Sequence, residues 1–134
     1  MQMTIRIEVD INPTENEEKV KKALFNLFGD LAMEIKSLQR GSLLIAQAKG
    51  QDSLSMLRNV LARDRIRDAA RKALHNGMRS QSLTFYLNKQ VAFAGHASFS
   101  EAEAESPLGP IKVIVECENP LEIIDWLAPR TSKP

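Results

Sequence analysis

Residues Ile5, Ile7, Val9 and Ile11 alternate with Arg6, Glu8 and Asp10, and the same period returns at Ile111, Val113, Val115 and Cys117 against Lys112, Ile114 and Glu116. Successive side chains of a strand point to opposite sides, so each stretch presents one apolar and one polar face. A parallel sheet buried on both sides reads as continuous apolar runs, whereas a sheet covered on one side reads as this alternation. The chain is therefore expected to form an α+β two-layer sandwich: a mostly antiparallel sheet with helices packed on one face. Cys117 continues the inward register and is expected to be buried and unreactive, a small hydrophobe.

Between these strands the pattern switches period. Asn12 and Pro13 end the first strand, and Thr14 with Glu17 matches a capping box for a helix reaching Phe28 and stopped by Gly29. Leu31, Met33 and Ile35 alternate as a second strand and residues 43–48 form a third, with a turn at Arg40, Gly41 and Ser42. Asp52 or Ser53 is the expected cap of the next helical segment, which extends to His75. Its apolar face changes part-way: Leu54, Leu57, Val60 and Leu61 share one side, while Ile66, Ala69, Ala70, Ala73 and Leu74 lie nearly opposite. The spacing predicts a break near residues 62–64; the alternative is a second molecule covering one half. Natural oligomers are most often two-fold dimers, so a homodimer is expected.

Leu83, Phe85 and Leu87 then alternate with Thr84, Tyr86 and Asn88. Residues 88–95 read as one or two helical turns capped by Asn88 and closed by Gly95, followed by a short strand at 96–99. An acidic loop at 100–106 and a stiff corner at 107–110 lead into the last strand, which makes a hairpin with the strand before the loop. Asn119 is the expected cap of a final helix with Pro120 at its first position and Pro129 as its stop. Trp126 lies at the margin of this helix's apolar stripe and is expected to pack rather than to stack a base. One domain spans 1–129, and 130–134 form a frayed tail.

At 134 residues the chain is large enough for one continuous core without staples. The single Cys allows no internal disulfide and fits a reducing compartment. No apolar run approaches about 20 residues, so the expectation is a cytoplasmic protein with no membrane contact.

Charge carries the main functional clue. The net charge is +1, yet residues 58–96 hold eight basic residues against two acidic ones. Such a local excess marks an anion-binding surface. Arg63, Arg67 and Arg71 are spaced by four, which on one helix makes a ridge, and the planar fork of arginine suits phosphate. Arg79 adds to the same segment. Lys89 and Gln90 follow Asn88 at a turn whose exposed amides suit an anion, and Tyr86 shares a strand face with Asn88, where it can stack a base. The competing reading is a solvated helix face, in which Asp68 and Lys72 pair at i,i+4.

Phe85-Tyr86-Leu87-Asn88-Lys89-Gln90, Ala92-Phe93, Ser98-Phe99, Pro107-Leu108-Gly109-Pro110-Ile111 and Ile124-Asp125-Trp126-Leu127-Ala128-Pro129 together resemble the signature of a conserved archaeal family of uncharacterised proteins. Pro13-Thr14-Glu15 and Arg65-Ile66-Arg67-Asp68 fit the same pattern, so the resemblance covers nearly the whole chain. It implies a fold similar to that of the ribosomal protein L-five, which carries five-S ribosomal RNA, and kinship with predicted RNA-binding, exosome-associated proteins. It implies no established activity. Asp64 stands where the pattern leads one to expect a neutral polar residue, often Gln, and makes the helix slightly less basic.

The catalytic alternatives are thin. His75 and His96 are the only histidines, no ligand pairs show metal spacing, and Glu101, Glu103 and Glu105 read as a solvated loop before a cation site. There is no phosphate loop of known pattern, nucleophile elbow or Cys–His set. The expectation is a non-enzymatic RNA-binding module without cofactor or metal, using Arg63, Arg67, Arg71, Arg79, Tyr86, Asn88, Lys89 and Gln90. The alternative is a homodimeric structural or interaction protein that binds no nucleic acid.

Overall fold

The structure is a computed structural model that describes residues 3–100 and 109–130. Strand β1 (Thr4–Ile11) is followed by helix α1 (Glu17–Phe28) and the hairpin β2 (Ala32–Ser37) and β3 (Ser42–Lys49). A single 3₁₀ turn (Gln51–Leu54) leads into α2 (Ser55–Arg63), α3 (Arg67–Asn76) and the short β4 (Met78–Arg79). Then come β5 (Ser82–Asn88), α4 (Lys89–Phe93), β6 (Phe99–Ser100), β7 (Pro110–Glu116) and α5 (Pro120–Leu127). The strands form one sheet in the order β2-β3-β1-β7-β5-β4, with β6 also on β5. Every ladder is antiparallel. The expected hairpin of β5 with β7 is present, Phe85 lying opposite Val113.

Alternation places Ile5, Ile7, Val9, Ile111, Val113, Val115, Leu83, Phe85 and Leu87 under the helices, all buried. Helix α1 contributes Val20, Leu24 and Leu27, α2 contributes Leu57 and Leu61, and α5 contributes Ile124 and Leu127. This is the two-layer α+β sandwich that the strand pattern implies. Arg6, Glu8, Lys112, Ile114, Thr84 and Tyr86 occupy the opposite face and are partly exposed. Cys117 is buried, and burial pushes its thiol pKa up. No helix among the described residues is long and apolar enough to cross a membrane.

The change of apolar face has a local cause. Helix α2 ends at Arg63, and Arg65 adopts φ 58°. The amide of Ile66 donates to Leu61 O at 3.1 Å and that of Arg65 to Ala62 O at 3.2 Å. These two bonds form a Schellman closure with an arginine in the left-handed position usually held by glycine. Leu57, Leu61, Ala70 and Leu74 are all buried within one chain. No second molecule is needed to cover either half, so the reversal of the apolar face gives no reason for a dimer.

Two of the expected caps are not the ones that form, and a third keeps its position without a side-chain bond. Asn16, not Thr14, caps α1, its Oδ1 accepting from Glu18 N at 2.8 Å and Lys19 N at 3.3 Å. Glu15 is drawn back to Asn12 N at 2.9 Å, so the cap falls two residues after Thr14. Neither Asp52 nor Ser53 caps α2: Gly50, at φ 89°, opens the 3₁₀ turn, and Ser53 Oγ donates back to Gly50 O at 2.6 Å. Asn119 precedes α5 without a side-chain capping bond, its carbonyl accepting from Glu122 N instead. The strand expected at 96–99 shortens to β6 because Ala97 N is taken by Asp64 Oδ2. Residues 101–106 of the acidic loop, the first half of the following corner (107–108) and residues 131–134 lie outside the described residues.

Asn88 does cap α4, its Oδ1 accepting from Val91 N at 2.9 Å. Asn88→Ala is expected to cost about 1 kcal/mol of folding stability, measured by chemical denaturation; a loss near zero would show the bond to be replaceable by water.

Candidate nucleic-acid interface

The eight predicted residues separate into three groups. Arg71, Asn88 and Lys89 are held in structural contacts. Only 11% of the Arg71 side chain is exposed, and its Nη1 donates to Asp125 Oδ1 and to Ala128 O, both at 2.9 Å, tying α3 to α5. Lys89 is 5% exposed. Its Nζ donates to Asp10 O at 2.7 Å and to Glu15 Oε1 and Oε2 at 3.0 and 3.2 Å. The reason is geometric: at the first position of α4 the lysine stem runs inward to the end of β1 rather than out over the turn. α4 itself, at five residues, is too short to act as an anion site.

Arg63 and Arg67 lie on either side of the helix break. With Asp64, Arg65 and Ile66 non-helical between them, the four-residue spacing of Arg63, Arg67 and Arg71 does not run along one helix. Arg63 is 57% exposed, with Nε 3.2 Å from Asp64 Oδ1 and Nη2 donating to Gly95 O. Arg67 begins α3 and is half-buried. Gln90 is exposed and lines a cavity of about 380 Å³ with Lys19, Val20, Lys89 and Phe93. Lys19 and Lys22 both lie 5.6 Å from the centre of the half-exposed Phe93 ring.

Arg79 and Tyr86 are the predicted residues that share the open sheet face. Arg79 pairs with Ser82 and is exposed, while Tyr86 pairs with Lys112 on one side and Ser100 on the other. Between α3 and β5 lies a cavity of about 350 Å³ lined by Lys72, Asn76, Thr84, Tyr86, Phe99 and Ser100. Tyr86 therefore stands between Lys72 across the cavity and Lys112 on the next strand. Glu8 neighbours Lys112 on β1, but its carboxylate is engaged by Arg6 Nε at 2.7 Å. Lys72 is visible in the sequence as part of the polar side of the basic helix. Lys112 becomes visible only through the strand register.

Asp64, the acidic residue in the basic segment, is a local organiser. Burial disfavours its charged form, but hydrogen bonds from His96, Ala97 N and Arg63 outweigh that and hold its carboxyl below the ordinary value. His96 Nδ1 lies 3.1 Å from Asp64 Oδ1. A carboxyl held low in the folded state stabilises the fold above its unfolded pKa, and that contribution is lost as pH falls through the folded value. Trp126 packs against the core, with Arg58 5.5 Å from its ring centre and Arg58 Nε donating to Trp126 O.

Comparison with known proteins adds a family to this geometry. A family model described as RNA binding matches residues 4–117. A UPF0201 protein of Sulfurisphaera tokodaii is 43% identical over 129 residues, which cover 96% of this chain and 89% of that one. A UPF0201 protein of Pyrobaculum arsenaticum is 40% identical over 130 residues, covering 96% and 91%. The crystal structure of a UPF0201 protein from Methanococcus jannaschii matches with a TM-score of 0.86 at 31% identity, over 96% of this chain and 95% of that one. A DUF54 protein from Methanothermobacter thermautotrophicus shares the fold, with a TM-score of 0.61 at 15% identity over 93% and 95%. The chain belongs to this RNA-binding family, and within it to the conserved archaeal proteins named UPF0201.

Proposed function

We propose that the chain binds RNA, without catalysis, along the edge where α3 meets β5. Tyr86 is the stacking residue, Lys72, Arg79 and Lys112 receive phosphates around it, and Arg63 and Arg67 extend the basic surface along the helices. The observation that carries this reading is the half-exposed tyrosine set between two lysines beside a cavity open to solvent. Every base has a π-face, so stacking on one ring combined with cationic contacts gives sequence-tolerant binding. Arg71, Asn88 and Lys89 support the fold and act on RNA only through it. The single buried thiol supports placing this activity in the cytoplasm.

Tyr86→Ala is expected to weaken binding of a single-stranded RNA oligonucleotide by about 1–3 kcal/mol, while Tyr86→Phe retains it. Fluorescence anisotropy at fixed salt reads this directly. A Tyr86→Ala variant that binds as tightly as its parent would remove the ring from the site.

A further inference from the structure

The two edges of the sheet differ. One is closed in part by α3, β4 and β6; the other is β2, and no described strand lies outside it. Its hydrogen-bonding direction follows from the neighbouring ladders. Gly50 N donates to Met3 O at 2.8 Å and Leu38 N to Gly41 O at 3.1 Å. Amide direction alternates along a strand, so Ala32, Glu34 and Lys36 turn their backbone groups toward β3. Those of Met33, Ile35 and Ser37 point outward. The side chains alternate as well: Met33 and Ile35 are half-buried at the rim of the core, whereas Glu34 and Lys36 are exposed on the open face.

We propose that β2 is a self-pairing edge whose occupant is β2 of a second copy of this chain, antiparallel and centred on Ile35. Three features of the strand select this register. A two-fold axis at Ile35 sets the outward amides of Ile35 against those of Ile35 of the partner subunit, and Met33 against Ser37 of the partner subunit. It places Glu34 opposite Lys36 of the partner subunit, and Lys36 opposite Glu34 of the partner subunit. Centring on Glu34 or on Lys36 would instead set like charges face to face, which destabilises a cross-strand pair. The apolar rim of Met33 and Ile35 then meets its own copy, and two sheets join into one with all helices on the same side. Strand addition on six residues is a small interface, so the dimer is concentration-dependent. It rests on the opposite sheet edge from Tyr86 and is independent of the RNA reading.

Sedimentation equilibrium of the full chain without RNA tests it. Wild type is expected to dimerise, and Lys36→Glu and Glu34→Lys are each expected to weaken the dimer at least about tenfold, since each sets like charges opposite one another. An equimolar mixture of the two variants is expected to recover the dimer. One variant then carries a carboxylate at both positions and the other an ammonium at both, so every facing pair is of opposite sign. Ile35→Pro, which removes an outward N–H and leaves the bonds to β3, is expected to abolish it. A wild type that stays monomeric up to about 0.5 mM overturns the proposal. So do single variants that dimerise like the parent, and a mixture that stays monomeric.

Discussion

Lys89→Ala is expected to lower folding stability by about 3–5 kcal/mol, the cost of removing one partner from a buried ion pair. The ammonium is 5% exposed and bridges Glu15 on the loop before α1 to the carbonyl of Asp10 at the end of β1. Truncation leaves the Glu15 carboxylate, itself only 9% exposed, without its cation. Glu15 also accepts from the Asn12 backbone and side chain, so the turn into α1 loosens with it. The double variant Lys89→Met with Glu15→Gln is expected to recover much of the loss, since replacing both charges leaves no orphan. Chemical denaturation measures each. A single-variant loss below about 1 kcal/mol would place the pair with exposed salt bridges, and would return Lys89 to the residues that reach RNA.

Gly77→Ala is expected to cost about 3 kcal/mol or more, through overpacking rather than backbone conformation. Gly77 has φ −99°, which any residue adopts. A Cβ there would sit 1.8 Å from Thr84 O and 2.9 Å from Thr84 C, where the end of α3 crosses β5 and Thr84 N donates to Gly77 O. The backbone on both sides is held, by the α3 closure and by the sheet, so neither moves away cheaply. Gly95 is the natural control. Its φ is 91°, and a Cβ meets nothing within 4 Å. Gly95→Ala is therefore expected to cost about 1–2 kcal/mol of left-handed strain alone. Equal losses at the two positions would contradict the clash.

What the sequence discloses about this fold is what two-residue and 3.6-residue periods disclose. Ile5 to Ile11 and Ile111 to Cys117 need only their own neighbours to be read as half-covered strands. The reversal between Leu61 and Ile66 announces the helix break. What stays hidden are contacts between residues far apart in the chain. Glu15 falls inside an apparent capping box because its partner Lys89 is 74 residues away. Arg71 looks solvated on its own helix because Asp125 is 54 residues away. Lys89 follows a capping asparagine, a position that is ordinarily exposed, and nothing local signals the inward turn of its stem. For the interface, the basic segment and Tyr86 stand out in the sequence, but charge spacing alone cannot tell arginines that bind the fold from those left to solvent. Lys112 joins Tyr86 only once the register of β5 against β7 is known.

The salt dependence of RNA binding tests the central claim most directly. Binding of a single-stranded oligonucleotide, followed by anisotropy across a range of salt concentrations, should give a linear fall of log K with log salt. Replacing Lys72, Arg79 and Lys112 together by alanine should reduce that slope by about 2, at about 0.7 for each phosphate no longer neutralised, and leave sequence preference unchanged. A triple variant with the parental slope and affinity would contradict the account and leave these side chains as a solvated face.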